Sequence, residues 1–282
     1  MTDDSLHIDL DRLLRTKVPR QRRFIPGWVV RWLERIICQR ELNELLDATR
    51  GKHNEEFAAA AMEYIGATVK AQGLEKFSPT ARRRYIFAAN HPLGGLDGIA
   101  LIALLGRHYG GNLRCVVNDM LMQVTPLAGV FLPANKHGRQ TEAAVAAINE
   151  AMESDCQMLY FPAGLCSRRQ PDGTVADLEW RKSFITKSVE YHRDVVPVHF
   201  SGENSSRFYR LAKWRKRLGI KLNIEMILLP GEMMRCRGKQ FTATFGDPIP
   251  WDSFTDGRKP TEHAARVRDC VYEIGKKANT IR

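Results

Sequence analysis

Hydrophobic residues near the start of the chain recur as pairs spaced by four. The pairs are Phe24 and Ile25, Trp28 and Val29, Trp32 and Leu33, and Ile36 and Ile37. This spacing places them on one face of a helix, with Arg31 and Arg35 on another. Two interpretations remain open. Either the stripe packs on the protein's own core, or Trp28 and Trp32 lie at the headgroup boundary of a membrane, where an indole ring is buried while its N–H stays hydrated.

The pattern further along divides the chain into two regions. Residues 56–71 are rich in alanine and predict another helix, which completes an N-terminal helical region over residues 1–78. From residue 79 onward, short apolar runs typical of strands alternate with helical windows. The runs are residues 85–89, 113–117, 157–161, 195–200, 222–229 and 241–245; the helical windows are residues 98–105, 141–152, 181–192, 206–218 and 261–277. This order predicts an α/β fold over residues 79–282, with a mainly parallel sheet flanked by helices.

The composition limits the class of protein. The 282 residues are 44% hydrophobic, enough for one core or at most two small domains. The longest apolar stretch, residues 99–105, is far shorter than the roughly 18 to 20 residues of a spanning helix, so we expect no integral membrane protein. The first residues are acidic, which is unlike a secretory signal. Six scattered cysteines without a CxxC pair favour a reducing cytoplasm and argue against a metal site or a disulfide framework.

Positive charge is concentrated in two segments. The chain has 43 Lys and Arg against 32 Asp and Glu, a formal charge of +11. Residues 12–40 hold nine of these cations and one acid, whereas residues 204–221 hold seven cations and no acid. Such basic faces favour an anionic partner, which is a lipid headgroup, an acidic carrier protein or nucleic acid. For a membrane surface, the predicted docking residues are Trp28, Trp32, Arg22, Arg23, Arg215, Lys216 and Arg217.

The loop after the first predicted strand holds a histidine and an aspartate. In α/β sheets ligands bind beyond the carboxyl ends of the strands, and residues 90–98 there read NHPLGGLDG. If Asp97 accepts from one ring nitrogen of His91, the other nitrogen can take a proton from a substrate hydroxyl. The alternative is that Asp97 only caps the helix predicted over residues 98–105, and that His91 is an ordinary loop histidine.

Two further loops carry groups suited to an anion or an acyl chain. Residues 161–169, FPAGLCSRR, supply backbone N–H groups and two guanidinium forks. Residues 126–136 read PLAGVFLPANK. Their apolar part is suited to line an acyl channel, and Lys136 together with Arg139 is suited to face an anionic group. Taken singly, the first is more commonly a solvated basic turn, and the second is also compatible with a buried turn that carries surface cations. The candidate substrate-binding residues of all three loops are Asn90, Gly94, Gly95, Lys136, Arg139, Phe161, Pro162, Gly164, Ser167, Arg168 and Arg169.

Four stretches within residues 85–250 follow one another in a familiar order. They read NHPLGGLD, GVFLPANK, YFPAGLCSRR and VVPVHFSG. In order and spacing they resemble the glycerolipid and lysophospholipid acyltransferase family, in the hemolysin-like branch that includes acyltransferases completing ornithine or glycine lipids. The resemblance implies that His91 is a general base and that an acceptor hydroxyl attacks an acyl thioester of acyl-carrier protein or coenzyme A, with no bound cofactor. It also implies a lipid acceptor and a peripheral enzyme at the cytoplasmic face of the inner membrane.

The sequence departs from that family pattern at three points. Five residues separate His91 from Asp97, where the family has four. Ala163 and Cys166 stand where the family has a glutamate and an arginine that help to bind a glycerol phosphate acceptor. We therefore expect a mono-acylated amino-acid lipid as the acceptor, with lysophosphatidic acid as the alternative. We do not expect Cys166 to act as a nucleophile.

Two other kinds of protein compete with an active acyltransferase. The segment RFYRLAKWRKRLGIK, residues 207–221, places aromatic residues among cations, as in nucleic-acid-binding proteins. No helix-turn-helix, zinc-finger or RNA-recognition pattern accompanies it, so we expect no nucleic acid partner. The altered third motif is also compatible with a catalytically inactive scaffold on the same fold.

Overall fold

The computed structural model describes residues 7–17, 19–80, 83–134 and 141–280. The α-helices are α1 (Leu10–Lys17), α2 (Pro19–Arg22), α3 (Gly27–Ile36), α4 (Gln39–Ala48), α5 (Asn54–Ile65), α6 (Leu96–His108), α7 (Glu142–Glu153), α8 (Ser183–Tyr191), α9 (Ser206–Arg217), α10 (Leu229–Met234) and α11 (Pro260–Thr280). The strands are β1 (Thr68–Gln72), β2 (Tyr85–Ala89), β3 (Leu113–Asn118), β4 (Phe131–Ala134), β5 (Gln157–Tyr160), β6 (Arg168–Arg169), β7 (Val175–Ala176), β8 (Asp194–Phe200) and β9 (Gln240–Phe245).

Seven of these strands form one sheet in the order β1-β9-β8-β2-β5-β3-β4. At its centre, β2 runs parallel to both β8 and β5. Only the pairing of β8 with β9 within this sheet is antiparallel, so the prediction of a mainly parallel α/β fold is confirmed. Strands β6 and β7 form a separate two-stranded ladder. The carboxyl ends of β2, β5 and β8 consequently lie at one edge of the sheet, where ligands bind in such folds.

Helices cover both faces of the sheet, and β2 shows why. All five of its side chains are buried, and they alternate between two cores because a pleated strand has a period of two. Phe87 and Ala89 belong to a core that includes residues of α5 and α6. Ile86 and Ala88 belong to a core that includes residues of α7, α8 and α11. The sheet is therefore the middle of three layers.

The structure corrects two elements of the predicted pattern. The helix expected over residues 56–71 ends at Ile65, because Gly66 adopts the left-handed conformation (φ 71°) that terminates helices. The following residues form β1, which pairs with β9 and so brings part of region 1–78 into the main sheet. The strand expected over residues 222–229 is wrong: a 3₁₀ turn, Ile224–Leu228, leads there into α10. A short apolar run does not by itself distinguish a strand from a helix.

Helix α3 carries the predicted hydrophobic stripe, but only part of the stripe is covered. Val30 is its one buried residue, and Ile36 packs against the small core around Phe208. Trp28 and Trp32 are 66% and 53% exposed. The side of α3 that bears these indoles is thus only partly covered by the described part of the chain. No helix in the described ranges is long and apolar enough to cross a bilayer.

A fully buried arginine connects α7 to the start of β8. The Arg193 guanidinium donates hydrogen bonds of 2.5–3.1 Å to the carbonyl oxygens of Ala151, Met152, Ser154 and Cys156. These carbonyls include the last ones of α7, where the helix dipole favours a cation. Burial lowers the pKa of Arg193 to about 10, so the group still carries its charge at neutral pH. Arg193 therefore satisfies the backbone at this helix end.

Candidate active site

His91 and Asp97 come together beyond the carboxyl end of β2. His91 Nδ1 lies 3.1 Å from Asp97 Oδ2. Asp97 is fully buried, and its two carboxylate oxygens accept hydrogen bonds of 2.9 Å from the backbone N–H groups of Leu93 and Gly98. The His91 ring retains 17% of its side-chain exposure. The loop thus holds a fixed carboxylate behind an imidazole that remains accessible.

The electrostatics of the pair favour a protonatable imidazole beside a permanent anion. Burial on its own lowers the pKa of His91, but the Asp97 carboxylate outweighs it and raises that pKa above its ordinary value of 6.5. For Asp97 the effect of burial has the opposite sign and raises the pKa. The interactions with His91 and with backbone N–H groups more than reverse this increase, so the pKa of Asp97 falls below its ordinary value. Asp97 therefore stays ionised and stabilises the imidazolium that forms when His91 accepts a proton.

The two glycines of this loop have different roles. Gly94 has φ +74°, and a Cβ there would lie 2.8 Å from Cys166 Cβ, so only glycine allows this close approach between the two loops. Gly95 has open space around it and is the N-cap of α6. Asp97 therefore lies within the first turn of α6, one position beyond its first residue, and the alternative that it serves as the N-cap is wrong.

Asn90 joins the ends of two strands. Its side-chain Nδ2 donates to the carbonyl oxygen of Phe200 at 3.0 Å, and its Oδ1 accepts from the N–H of the same residue at 2.6 Å. Asn90 is buried. Both ends of its amide are engaged with β8, so in this structure Asn90 positions the residue that follows it, His91, rather than presenting its amide to a ligand.

A second buried carboxylate, Asp177, connects the His91 loop to the loop after β5. Asp177 Oδ1 accepts from the backbone N–H of His91 at 3.1 Å and from Ser167 Oγ at 2.6 Å. Its Oδ2 accepts from the indole N–H of Trp180 at 2.9 Å. The Ser167 N–H in turn donates to the His91 carbonyl oxygen at 2.8 Å. Ser167, a predicted binding residue, is therefore buried and fixes the backbone of the predicted base.

The remaining predicted residues of this second loop are divided between interior and surface. The Phe161 ring lies against the His91 ring, with 4.3 Å between the centroids. Pro162 is buried, and Gly164 is exposed and adopts a left-handed conformation (φ +65°). Arg169 is exposed, with its guanidinium 5.4 Å from the centre of the Tyr209 ring. Phe161 is thus the member of this group that the structure brings into contact with His91.

Arg168 is held by a buried acid that the sequence pattern did not single out. Its Nη2 donates to Glu225 Oε1 at 2.7 Å, and Arg215 Nε lies 2.9 Å from Glu225 Oε2. Glu225 is fully buried, and both arginines are mostly covered. Arg215, predicted to dock on a membrane, is therefore committed to an internal ion pair. A surface helix and the loop after β5 meet at the same carboxylate.

Three other sequence predictions have distinct outcomes. Arg22, also expected at a membrane, is 18% exposed and pairs with Asp11, so it is not a free surface cation. Lys136 and Arg139 lie outside the described residues. Cys166 is fully buried, and burial raises the pKa of its thiol to about 11. A neutral, covered thiol is a poor nucleophile, which agrees with the expectation that Cys166 does not form an acyl-enzyme.

The chain is similar to known acyltransferases along nearly its whole length. The family model described as Acyltransferase matches residues 12–279. Two lyso-glycine lipid O-acyltransferases, from Bacteroides thetaiotaomicron and Phocaeicola vulgatus, are 48% and 46% identical over 97% of this chain and 100% and 98% of their own lengths. The solved structure of the 1-acyl-sn-glycerophosphate (LPA) acyltransferase PlsC from Thermotoga maritima is 18% identical, with a TM-score of 0.48, and the match covers 83% of this chain and 81% of that chain. Because the family model spans the N-terminal helices as well as the sheet, this chain belongs to the acyltransferase family of enzymes.

Proposed function

We propose that this enzyme transfers a fatty acyl chain from a thioester to the hydroxyl of a lyso-glycine lipid. The observation that carries the proposal is the His91 and Asp97 pair, with Nδ1 and Oδ2 3.1 Å apart at the carboxyl edge of the sheet. The acceptor is supported by the two relatives named lyso-glycine lipid O-acyltransferase, which match this chain almost end to end. A nucleic-acid-binding role has no comparable support.

The proposed reaction needs one base and no bound cofactor. His91 Nε2 takes the proton of the acceptor hydroxyl while Nδ1 faces the Asp97 carboxylate. The hydroxyl oxygen attacks the thioester carbonyl carbon, and backbone N–H groups stabilise the oxyanion of the tetrahedral intermediate. Collapse of that intermediate breaks the C–S bond, and the imidazolium returns the proton to the leaving thiolate. The products are the ester and the free thiol of acyl-carrier protein or coenzyme A.

The third motif supports an acceptor other than glycerol phosphate. Ala163 and Cys166 are both buried, so neither position presents a charge to a ligand. The nearest guanidinium to position 166 is that of Arg168, with Nη1 2.9 Å from Cys166 Sγ, and it is already paired with Glu225. A phosphomonoester would therefore find little compensation for its desolvation at these positions.

In side-by-side assays with one thioester donor, we expect the enzyme to use lyso-glycine lipid at least about tenfold better than lysophosphatidic acid, a difference of about 1.4 kcal/mol in transition-state stabilisation. The measurement is kcat/KM for each acceptor in the same detergent. Lysophosphatidic acid preferred by a similar factor would contradict the proposed acceptor and favour the phospholipid alternative. An inactive scaffold would show transfer to neither.

We further propose that the enzyme docks on the cytoplasmic face of the inner membrane through α3 and α9. Phe24, Trp28 and Trp32 are exposed around α3, and the Arg23 guanidinium lies 4.6 Å from the centre of the Phe24 ring. Helix α9 adds the exposed Trp214, together with the exposed cations Lys216 and Arg217. Exposed indoles beside cations combine apolar insertion with attraction to anionic headgroups, and each cation contributes about 1 kcal/mol.

Replacing Trp28 and Trp32 together by alanine should weaken sedimentation with anionic vesicles about tenfold or more, since two indoles no longer insert. Raising the salt concentration should weaken binding of the unaltered enzyme as well. The matched control is the double variant Val145→Ala/Leu178→Ala, which removes exposed apolar side chains elsewhere and should bind as before. Equal binding to neutral and anionic vesicles would contradict electrostatic docking. If the Trp28→Ala/Trp32→Ala variant instead shows a raised KM for the acyl-carrier-protein donor and unchanged vesicle binding, α3 docks the carrier protein and not the membrane.

A further inference from the structure

A small cleft lies between α3 and α10, on the side of the molecule that carries the exposed tryptophans. It measures about 260 Å³, and its lining includes Trp32 and Arg35 of α3, Arg207 of α9, and Arg235. Gly231 allows α10 to approach closely here, because a Cβ at that position would lie 3.0 Å from the Ile36 carbonyl oxygen. The cleft therefore lies where the helices α3, α9 and α10 meet, and it is not a gap between loops.

The cleft has an excess of positive charge. Its three arginines are exposed, and none forms an ion pair with a carboxylate in the described part of the chain. The acid in its lining, Glu232, is already engaged: its carboxylate accepts from the N–H and Oγ of Ser205 at 2.7 and 2.6 Å. The three arginines and Glu232 together give the cleft a net charge of +2, which attracts an anion. Planar guanidinium forks match the oxygens of carboxylate and phosphate groups alike, and a phosphate monoester offers three terminal oxygens to three such forks where a carboxylate offers two.

Size and position select one source for that anion. Pockets for drug-sized ligands measure roughly 300–1,000 Å³, so this cleft suits a compact headgroup and not the nucleotide part of coenzyme A. Its lining includes Trp32, which is 53% exposed and belongs to the proposed docking surface. An amphipathic indole at the headgroup level beside a cationic cleft is the arrangement that holds a lipid phosphate just outside the apolar layer.

We propose that Arg35, Arg207 and Arg235 form a binding site for the phosphate of an anionic lipid in the membrane on which the enzyme docks. The site lies outside the four motifs and does not involve His91. It rests on the proposed membrane docking, and it adds to that docking a preference for one headgroup chemistry. Bound lipid phosphate would fix α3 against α10 and so set the orientation of the enzyme on the bilayer.

The test compares two kinds of vesicle made from a neutral galactolipid, which has no phosphate of its own. One kind contains phosphatidic acid and the other contains fatty acid, adjusted to the same surface potential. We expect the unaltered enzyme to bind the phosphatidic acid vesicles about tenfold more tightly, because three guanidinium groups make more charge-assisted hydrogen bonds to a phosphate than to a carboxylate. The triple variant Arg35→Gln/Arg207→Gln/Arg235→Gln should lose this preference. The matched control Arg31→Gln/Arg210→Gln/Arg237→Gln removes the same charge from the same three parts of the chain and should keep it.

Each other outcome overturns the proposal. Equal binding to both vesicles, a preference for the carboxylate vesicles, or a preference that survives in the cleft variant would show that the three arginines do not select lipid phosphate. If neither vesicle binds, calorimetric titration with glycerol 3-phosphate decides between sources: binding that depends on the three arginines assigns the cleft to a soluble phosphate, and no binding assigns it to none. The vesicles contain neither acceptor nor thioester, so failure of the proposed acyl transfer leaves these results unaffected.

Discussion

Replacing His91 by alanine is expected to lower the rate of acyl transfer by about 10²-fold or more, because the acceptor hydroxyl then has no base to take its proton. The measurement is kcat for purified protein with a saturating thioester and lyso-lipid. The matched control is His53→Ala, which removes an exposed histidine in front of α5 and should leave the rate unchanged. A His91→Ala enzyme that retains more than about a tenth of the original rate would rule out general-base catalysis by His91.

The pH profile separates the base from the carboxylate behind it. His91 must be neutral to accept a proton, so the rate should rise with pH through an apparent pKa that lies above the ordinary imidazole value. Replacing Asp97 by asparagine removes the charge that raises this pKa. The rate of Asp97→Asn should therefore fall less than that of His91→Ala, and its profile should shift toward lower pH. An unshifted profile would contradict the electrostatic role of Asp97.

The second large effect concerns stability. Replacing Arg193 by methionine should lower the free energy of unfolding by about 3–5 kcal/mol, because the carbonyl oxygens at the end of α7 lose their donors in a place that water does not reach. Urea denaturation followed by circular dichroism measures the change. Arg193→Lys keeps the charge but supplies fewer donors, so its free energy of unfolding should lie between those of the unaltered protein and Arg193→Met. The control Arg107→Met removes an exposed arginine and should cost less than about 0.5 kcal/mol. A loss below about 1 kcal/mol for Arg193→Met would contradict this role.

The proximity of His91 and Asp97 was predictable from the sequence because both lie within one short stretch, residues 90–98, at the end of a strand. A strand followed by His91, two glycines and Asp97 defines both the edge of the sheet and the partner of the imidazole. Asp177 was not predictable in this way. It contacts the His91 backbone across 86 positions of sequence, and its own surroundings, DLEW, contain no recognisable motif. Only the packing of the loop after β5 against the His91 loop brings the two together.

The misassigned segment, residues 222–229, shows a similar limit. Its apolar residues fit a strand and a tight helix equally well, and the deciding contact is the buried carboxylate of Glu225 between Arg168 and Arg215. The hydrophobic period of α3 was correctly identified as helical. Whether its tryptophans face the core or the solvent depends on which neighbours cover them, and local spacing carries no information on that.

The pairing of β1 with β9 also determines when this molecule is able to complete its folding. Thr68 pairs with Gln240, so the edge of the sheet that β1 forms is finished only after the last strand has been synthesised. Contacts so distant in sequence form slowly, since the entropy of closing the loop is lost before any contact stabilises it. At a synthesis rate of about 5–20 residues per second, β1 leaves the ribosome many seconds before β9 does. Until β9 has been synthesised, the core to which Phe241 and Phe245 belong stays incomplete, and apolar surface exposed in that interval favours aggregation.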